Sequence, residues 1–456
     1  MTLLEIFPSL RATTVPRLDP AVWPADTHYD DEGRITLGGV ALTDVADEFG
    51  TPVHVVDEAE VRTRCRAYRK HFPDAEIVYA GTALMVGAVA RWVAEEGLSV
   101  QVGSAGELSI ALAAGIDPGR IVLHGNGKTF DELRTAVECG VGRIVVGSLT
   151  EITLLAALAV TPRQLLLRVD PGVDVPGGPR FGFPLGSASF ETAVARIAAQ
   201  PNLRLTGLHC HLGAQIHNPD HYGEAIRRMI GEMAWVDHEY GLLLTHLDIG
   251  GGHAVAYRGG DAELNLRELA DILDDALDAG CARHRFPRPV IAMEPGRAIV
   301  ARAGVTLYRV LAVTETAEGG HRVLVDGGGC GPGRGHDGAV VVNRHPTGAQ
   351  RATSIAGRHT ETGELLATGV RLPADLRPGE VLAVPCTGAY HHGLASTYST
   401  VGRPPIVAVT GGRTRQLLRR ETTADLLMRE IADPPSAVAE PARTPAGSGA
   451  DSQSVR

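Results

Sequence analysis

The run Ile77-Val78-Tyr79-Ala80-Gly81-Thr82-Ala83 is a short apolar, β-type stretch that ends in small residues. Helical periodicity follows at Val86–Glu96, and a second apolar run, Ser99–Val102, comes next. This strand–helix–strand unit recurs. Apolar runs at Val53–Val56, Ile121–His124, Arg143–Val146, Leu165–Val169, Leu205–His209, Leu247–Gly250 and Val290–Met293 alternate with amphipathic stretches such as Ala105–Ala114 and Phe130–Cys139. Over 264–280, Leu264, Leu266, Leu269, Ile272, Leu273 and Leu277 form one stripe, the spacing of a helix buried on one side. Repeated units of this kind predict an α/β fold with a parallel sheet, and their number suggests a closed (β/α)8 barrel. Taken alone, the runs leave an open doubly wound sheet as the alternative.

After Arg297 the texture changes. Runs at Val305–Val313, Arg322–Val325, Val340–Asn343, Val381–Val384 and Ile406–Thr410 are separated by turn signals such as Arg377-Pro378-Gly379, which predicts an antiparallel β domain. The segment Ile35–Val40 is expected to join it. The resulting division is 1–50 as an N-terminal segment of the β domain, 51–298 as the barrel, 299–430 as the β-rich domain and 431–456 as a disordered tail rich in Pro, Ala, Ser and Gly.

With 456 residues, 44% of them hydrophobic, the chain can build two sizeable cores. It has neither a basic-then-apolar leader nor an apolar run of the roughly 20 residues that span a bilayer, so a cytoplasmic location and no membrane partner are expected. The six cysteines are scattered without a C-x-x-C pair, which predicts free thiols. A net charge of −10 gives no reason to expect nucleic acid as a partner. Only Lys70 and Lys128 occur among 43 lysines and arginines, so few amines are available for chemistry.

Several motifs sit at the ends of the apolar runs. Gly250-Gly251-Gly252 reads as a tight turn or as a phosphate cradle, because side-chain-free residues let backbone N–H groups approach an anion. Glu294-Pro295-Gly296-Arg297 is either a surface ion pair or a pair of functional groups at a strand end, where barrel function collects. In His209-Cys210-His211-Leu212-Gly213-Ala214-Gln215 the two histidines face one side on period 2; a metal reading of His-Cys-His lacks a supporting C-x-x-C, and no metal is expected. Further along lie Val325-Asp326-Gly327-Gly328-Gly329-Cys330-Gly331-Pro332-Gly333-Arg334, Gly357-Arg358-His359-Thr360-Glu361-Thr362-Gly363-Glu364 and Gly388-Ala389-Tyr390.

Taken together, and in this order, these motifs resemble the fold-type III pyridoxal-phosphate decarboxylases, in particular the diaminopimelate decarboxylase family, over about residues 28–430. The resemblance implies an alanine-racemase-like (β/α)8 TIM barrel with a C-terminal antiparallel β domain, and so decides between the closed and open sheets. It implies that Gly250, Gly251 and Gly252 hold the cofactor phosphate, that His211 stacks on the cofactor ring, and that Glu294 contacts the pyridine nitrogen. It also implies that Arg297 and Arg334 bind substrate carboxylate, that Tyr390 touches cofactor and substrate, and that Glu361 reaches the substrate across a dimer.

The departures fall on the chemistry. Thr82 stands where the family has the lysine that forms the Schiff base with the cofactor, and a hydroxyl cannot make an imine. Thr360 replaces the cysteine proposed as proton donor, and an aliphatic hydroxyl is a poor acid at neutral pH. Gln101 replaces an aspartate near the cofactor, Ala214 a serine that helps bind phosphate, and His253 follows the glycines where a small or apolar residue is expected. Lys128 corresponds to a second family lysine with its own place, and Lys70 falls on a predicted helix away from the strand ends.

Three readings follow. In one, the pocket keeps pyridoxal phosphate noncovalently with an amino-acid-like ligand and altered chemistry, to which His253, Cys330, His336, His391 or His392 would add groups. In another, the chain is a catalytically silent relative that pairs with an active paralogue or binds an amino-acid-like ligand; a homodimer or a heterodimer with a paralogue is expected. In the third, it is an amino-acid decarboxylase that uses another lysine.

Overall fold

The computed structural model describes residues 18–175, 181–317, 319–328, 338–346, 348–359 and 365–431. Three short strands, β1 (Thr27–Tyr29), β2 (Ile35–Leu37) and β3 (Val40–Ala41), form a small antiparallel sheet. Strand β4 (Val53–Asp57) follows, and the Asp57 carboxylate caps the next helix, Glu58–His71, by accepting the Ala59 and Glu60 N–H groups.

From there the chain winds a barrel. Strands β5 (Glu76–Ala80), β6 (Ser99–Val102), β7 (Ile121–Leu123), β8 (Arg143–Val146) and β9 (Arg163–Asp170) pair in parallel in sequence order. After the two-residue β10 (Phe183–Pro184), which pairs with β9, the series continues through β11 (Leu203–His209), β12 (His246–Asp248) and β13 (Val290–Met293). Pairing of β13 with β5 closes a ring of eight parallel strands. The two-residue alternation of each strand divides its side chains between inside and outside. Val78, Val122, Val145 and Leu166 form a buried cluster of their own within the ring. Their neighbours Ile77, Tyr79, Leu123, Ile144 and Leu165 pack outward with the helices.

Helix boundaries follow local chemistry. Thr129 and Glu132 form a reciprocal cap at the start of Phe130–Cys139, and Gly140 ends that helix in the left-handed region. Ser104 caps Ala105–Ala113 through the Glu107 N–H, which sets Glu107 in the first turn beside the end of β6.

The second sheet is built on β14 (Gly304–Glu315), whose twelve residues pair with three different strands. Its members are β15 (His321–Val325), β16 (Val340–Val341), β17 (Gln350–Ala356), β18 (Leu365–Pro373), β19 (Val381–Pro385), β20 (Ile406–Thr410) and β21 (Arg413–Leu418). Most pairings are antiparallel; β15–β17 and β20–β4 are parallel. The run Val53–Val56, read from sequence as the first of the barrel series, belongs here, as β4 between β14 and β20. Both of its faces are buried, so its composition matches a barrel strand and only its partners tell the two apart. Ile35, Leu37 and Leu42 pack with Val53, Val55, Val305, Leu307 and Val407, and the Ile35 N–H bonds to Val342 O at 2.9 Å. A second backbone bond, from the Gly412 N–H to Gly38 O at 2.8 Å, also joins the N-terminal segment to this domain. Among the described residues no helix is long and apolar enough to cross a membrane.

Candidate functional site at the barrel mouth

Most of the motif residues that the structure describes lie at or just beyond the C-terminal ends of barrel strands; residues 326–328 and 357–359 follow β15 and β17 of the second sheet, and Tyr390 reaches the barrel from that domain. β7, β11 and β13 end beside one another's side chains. His124 Nε2 lies 2.6 Å from Glu294 Oε1, and His209 Nε2 lies 3.3 Å from Glu294 Oε2. The two imidazoles meet edge to face, with centroids 4.7 Å apart. Burial would raise the Glu294 carboxyl; the two imidazoles outweigh it and hold the group well below the usual carboxylate range. Burial pushes His209 down to about 3, against the pull of Glu294. Asp248, fully buried nearby, moves the other way: burial, with the charge of Glu294 added, lifts it well above the usual range, although Oδ1 accepts the Gly250 N–H at 2.9 Å. The pair thus divides into one ionised and one protonated carboxyl. Ligand atoms of His124, His209 and Glu294 lie within 4.8 Å of one another, the one grouping among the described residues whose spacing a metal ion could use. Reading metal chemistry only from the His-Cys-His run missed His124 as a member.

The turn after β12 is made by geometry that only glycine meets. Gly250 and Gly252 have φ of +69° and +91°. A Cβ on Gly250, Gly251 or Gly252 would stand 2.4, 2.2 or 2.1 Å from the carbonyl oxygen of Cys210, Glu294 or Gly213. The Gly251 N–H points to His211 Nδ1 at 3.4 Å. Burial lowers the His211 pKa, which favours its neutral form. His253 faces the opposite way. Its Nδ1 lies 2.8 Å from the Tyr68 hydroxyl, and its ring stacks on Tyr68 and meets Tyr222 edge-on. The Tyr222 hydroxyl in turn donates to Gly251 O at 2.9 Å. His253 is therefore packing behind the glycine turn.

Arg297 is 7% exposed. Its Nη1 donates to the Tyr257 hydroxyl at 2.6 Å, and its guanidinium lies 5.7 Å from the Tyr257 ring centroid and 4.8 Å from that of Tyr390, a cation held between two aromatic faces. Tyr390 arrives from the β domain with φ of +69°, and its N–H bonds to Ala83 O at 2.7 Å. This bond ties the closing segment to the turn that carries Thr82.

Thr82 is exposed in the short 3-10 turn Gly81–Ala83, and Oγ1 donates to Glu107 Oε2 at 3.4 Å. Gln101, next to last in β6, lies nearby and is buried. Neither lysine approaches this position as a free amine. Lys128 Nζ is 3.0 Å from Glu151 Oε1 and donates to Gly125 O at 3.0 Å, with its side chain almost wholly buried. Burial lowers its pKa against the pull of Glu151. Lys70 is exposed in the last turn of Glu58–His71, which leads into the start of β5 and so lies at the opposite rim. His391 Nδ1 contacts Ala389 O, and His392 packs edge-on against His54. Arg334, Thr360, Glu361, Cys330, His336 and the tail from 432 lie outside the described residues.

Sequence reading did not single out His124, Glu107, Tyr257 or Arg168. Arg168, buried at the end of β9, donates to Asn126 Oδ1 at 2.7 Å. Position at a strand end was the available signal for His124 and Arg168. The glycine turn, His211, Glu294 and Arg297 fit the phosphate, ring and pyridine nitrogen of pyridoxal phosphate and a carboxylate beside it; position 82 does not fit a covalent link.

The family model described as the pyridoxal binding domain of pyridoxal-dependent decarboxylases matches residues 58–301. Over 447 residues the chain is 48% identical to a diaminopimelate decarboxylase of Actinosynnema pretiosum subsp. auranticum, covering 94% of this chain and 100% of the relative. It is 38% identical over 441 residues to the diaminopimelate decarboxylase of Mycobacterium tuberculosis, with coverage of 91% and 98%. The crystal structure of the M. jannaschii diaminopimelate decarboxylase in complex with L-lysine superposes with a TM-score of 0.84 at 25% identity, covering 90% of this chain and 99% of that one.

Proposed function

The chain belongs to the pyridoxal-dependent decarboxylase family, and from that membership we propose that it holds pyridoxal phosphate noncovalently beside an amino-acid-like ligand, with lysine-based decarboxylation lost or altered. The observation that carries this reading is Thr82 at the linking position, while the chain's two lysines are one tied to Glu151 and the other at the far rim.

When bound, pyridoxal phosphate supplies an electron sink beside the bond to be broken. The chain's own residues supply the rest. The Gly250–Gly252 turn leaves backbone room for a phosphate. Glu294, kept ionised by His124 and His209, is the acceptor for a protonated ring nitrogen. Arg297, fixed between Tyr257 and Tyr390, presents a guanidinium to a carboxylate. Relatives named for diaminopimelate, and a related structure holding L-lysine, support a ligand with a second polar end. The family resemblance supports a dimer, either of this chain with itself or with a paralogue.

The test is the visible spectrum of purified protein with pyridoxal phosphate, taken before and after borohydride and followed by intact mass. The wild type is expected to show bound cofactor and no covalent adduct, and Thr82→Lys to acquire one at residue 82. A wild-type adduct mapped to Lys128 or Lys70 overturns the proposal in favour of a lysine-based decarboxylase. Absence of binding, with activity appearing only beside a paralogue, favours the silent-subunit reading.

A further inference from the structure

Three polar side chains converge beside the turn that carries Thr82. A Cβ placed on Gly103 would stand 3.5 Å from Thr82 Oγ1, 3.5 Å from Glu107 Oε2 and 3.8 Å from Gln101 Nε2. The Glu107 carboxylate accepts the Gly103 N–H at 2.6 Å and the Thr82 hydroxyl at 3.4 Å, and it makes no ion pair among the described residues. Gln101 is 8% exposed, and its amide has no hydrogen-bond partner among them. An amide with no protein partner at the lip of a pocket is free to bond a ligand group. The corner therefore holds one anion, a hydroxyl oxygen and an amide that can turn its carbonyl inward, and no cation.

We propose that this corner binds a primary ammonium, and that the pocket in consequence prefers pyridoxamine 5′-phosphate to pyridoxal 5′-phosphate. This deepens the noncovalent reading given above and rests on it. An aldehyde brings no N–H group, and no amine stands at position 82 to capture it. An aminomethyl group is protonated at neutral pH and brings three N–H donors, one each for Glu107 Oε2, Thr82 Oγ1 and the Gln101 carbonyl oxygen. The bond to Glu107 is charge-assisted, the stronger class of hydrogen bond.

Calorimetric titration of the full chain with each compound separately tests the proposal. The amine form is expected to bind roughly tenfold more tightly than the aldehyde form, the scale of one charge-assisted hydrogen bond. Glu107→Gln retains an acceptor for the Gly103 N–H and is expected to bring the two affinities within about twofold by weakening only the amine form. Thr82→Val, which leaves Glu107 in place, keeps most of the preference. Equal or tighter binding of the aldehyde by the wild type overturns this inference alone. Failure of both compounds to bind overturns it together with the pocket assignment on which it rests.

Discussion

The two ends of the pocket are built to different standards. At the glycine turn every element is over-determined: three glycines press against three carbonyl oxygens, a tyrosine holds the turn from behind, and Glu294 lies against two imidazoles. At the Thr82 corner the side chain is exposed, its one hydrogen bond is long, and the neighbouring amide has no partner among the described residues. The contrast separates holding a cofactor from reacting with it. The groups that fit phosphate, ring and carboxylate are fixed by packing, whereas the departures from the family pattern fall on an exposed side chain at residue 82 and on an amide without a partner among the described residues at residue 101. Substitutions there are expected to leave the fold undisturbed.

The sharpest way to break this contrast is Glu294→Ala. Removing a buried carboxylate from its imidazole partners should destabilise the fold by roughly 3 kcal/mol. It should also weaken pyridoxal-phosphate binding by roughly a hundredfold or more. Chemical denaturation and equilibrium titration read the two effects; near-wild-type values for both would show that the ring end is not the anchored one.

A drop from pH 7 to pH 5 should act on the same end by about 2 kcal/mol for each of His209 and His253. Both native pKa values are depressed by burial, to about 3 from 6.5. Their contribution is therefore whole above about pH 6.5 and declines as the pH falls toward 3, because the unfolded chain takes up protons that the folded chain refuses. Denaturation midpoints across this range measure it, and His253→Leu should flatten the profile by its share. A flat wild-type profile would mean that these rings are protonated in the fold.

The smallest effect belongs to the open corner. Thr82→Val should change folding stability by less than about 0.5 kcal/mol, read by the same denaturation. A larger cost would reveal that Thr82 is a structural residue of the turn and not a replaced chemical group.

The barrel was legible in the sequence because its strands carry short apolar runs, such as Ile77–Tyr79, Ile121–Leu123, Ile144–Val146 and Leu165–Leu167, repeated at regular spacing between helical stretches. Among the strands that went unread, Gln350–Ala356, Leu365–Pro373 and Arg413–Leu418 are partly exposed and mix polar, small and apolar residues without a clean apolar run. The site was legible where one local motif carries several groups, as in Glu294–Arg297 and Gly250–Gly252. It was illegible where a role arises only from convergence: His124 and Glu294 are far apart in the chain, and Glu107 reads locally as an ordinary residue in the first turn of a helix. Tyr257 gave no signal, since a tyrosine after a glycine loop is unremarkable until an arginine is seen against it.

Strand β4 has a consequence for how the protein is made. It leaves the ribosome before any barrel strand, yet its antiparallel partner lies far downstream, with His54 and Thr306 separated by 252 positions. At about 5–20 residues per second, that interval is roughly 10–50 s during which Val53, Val55 and Val56 wait without a sheet. The barrel and the β domain are thus threaded through each other in time as well as in space. A truncated product ending near residue 300 would leave Val53, Val55 and Val56 without the strands that cover them, so it is expected to aggregate more readily than the full chain.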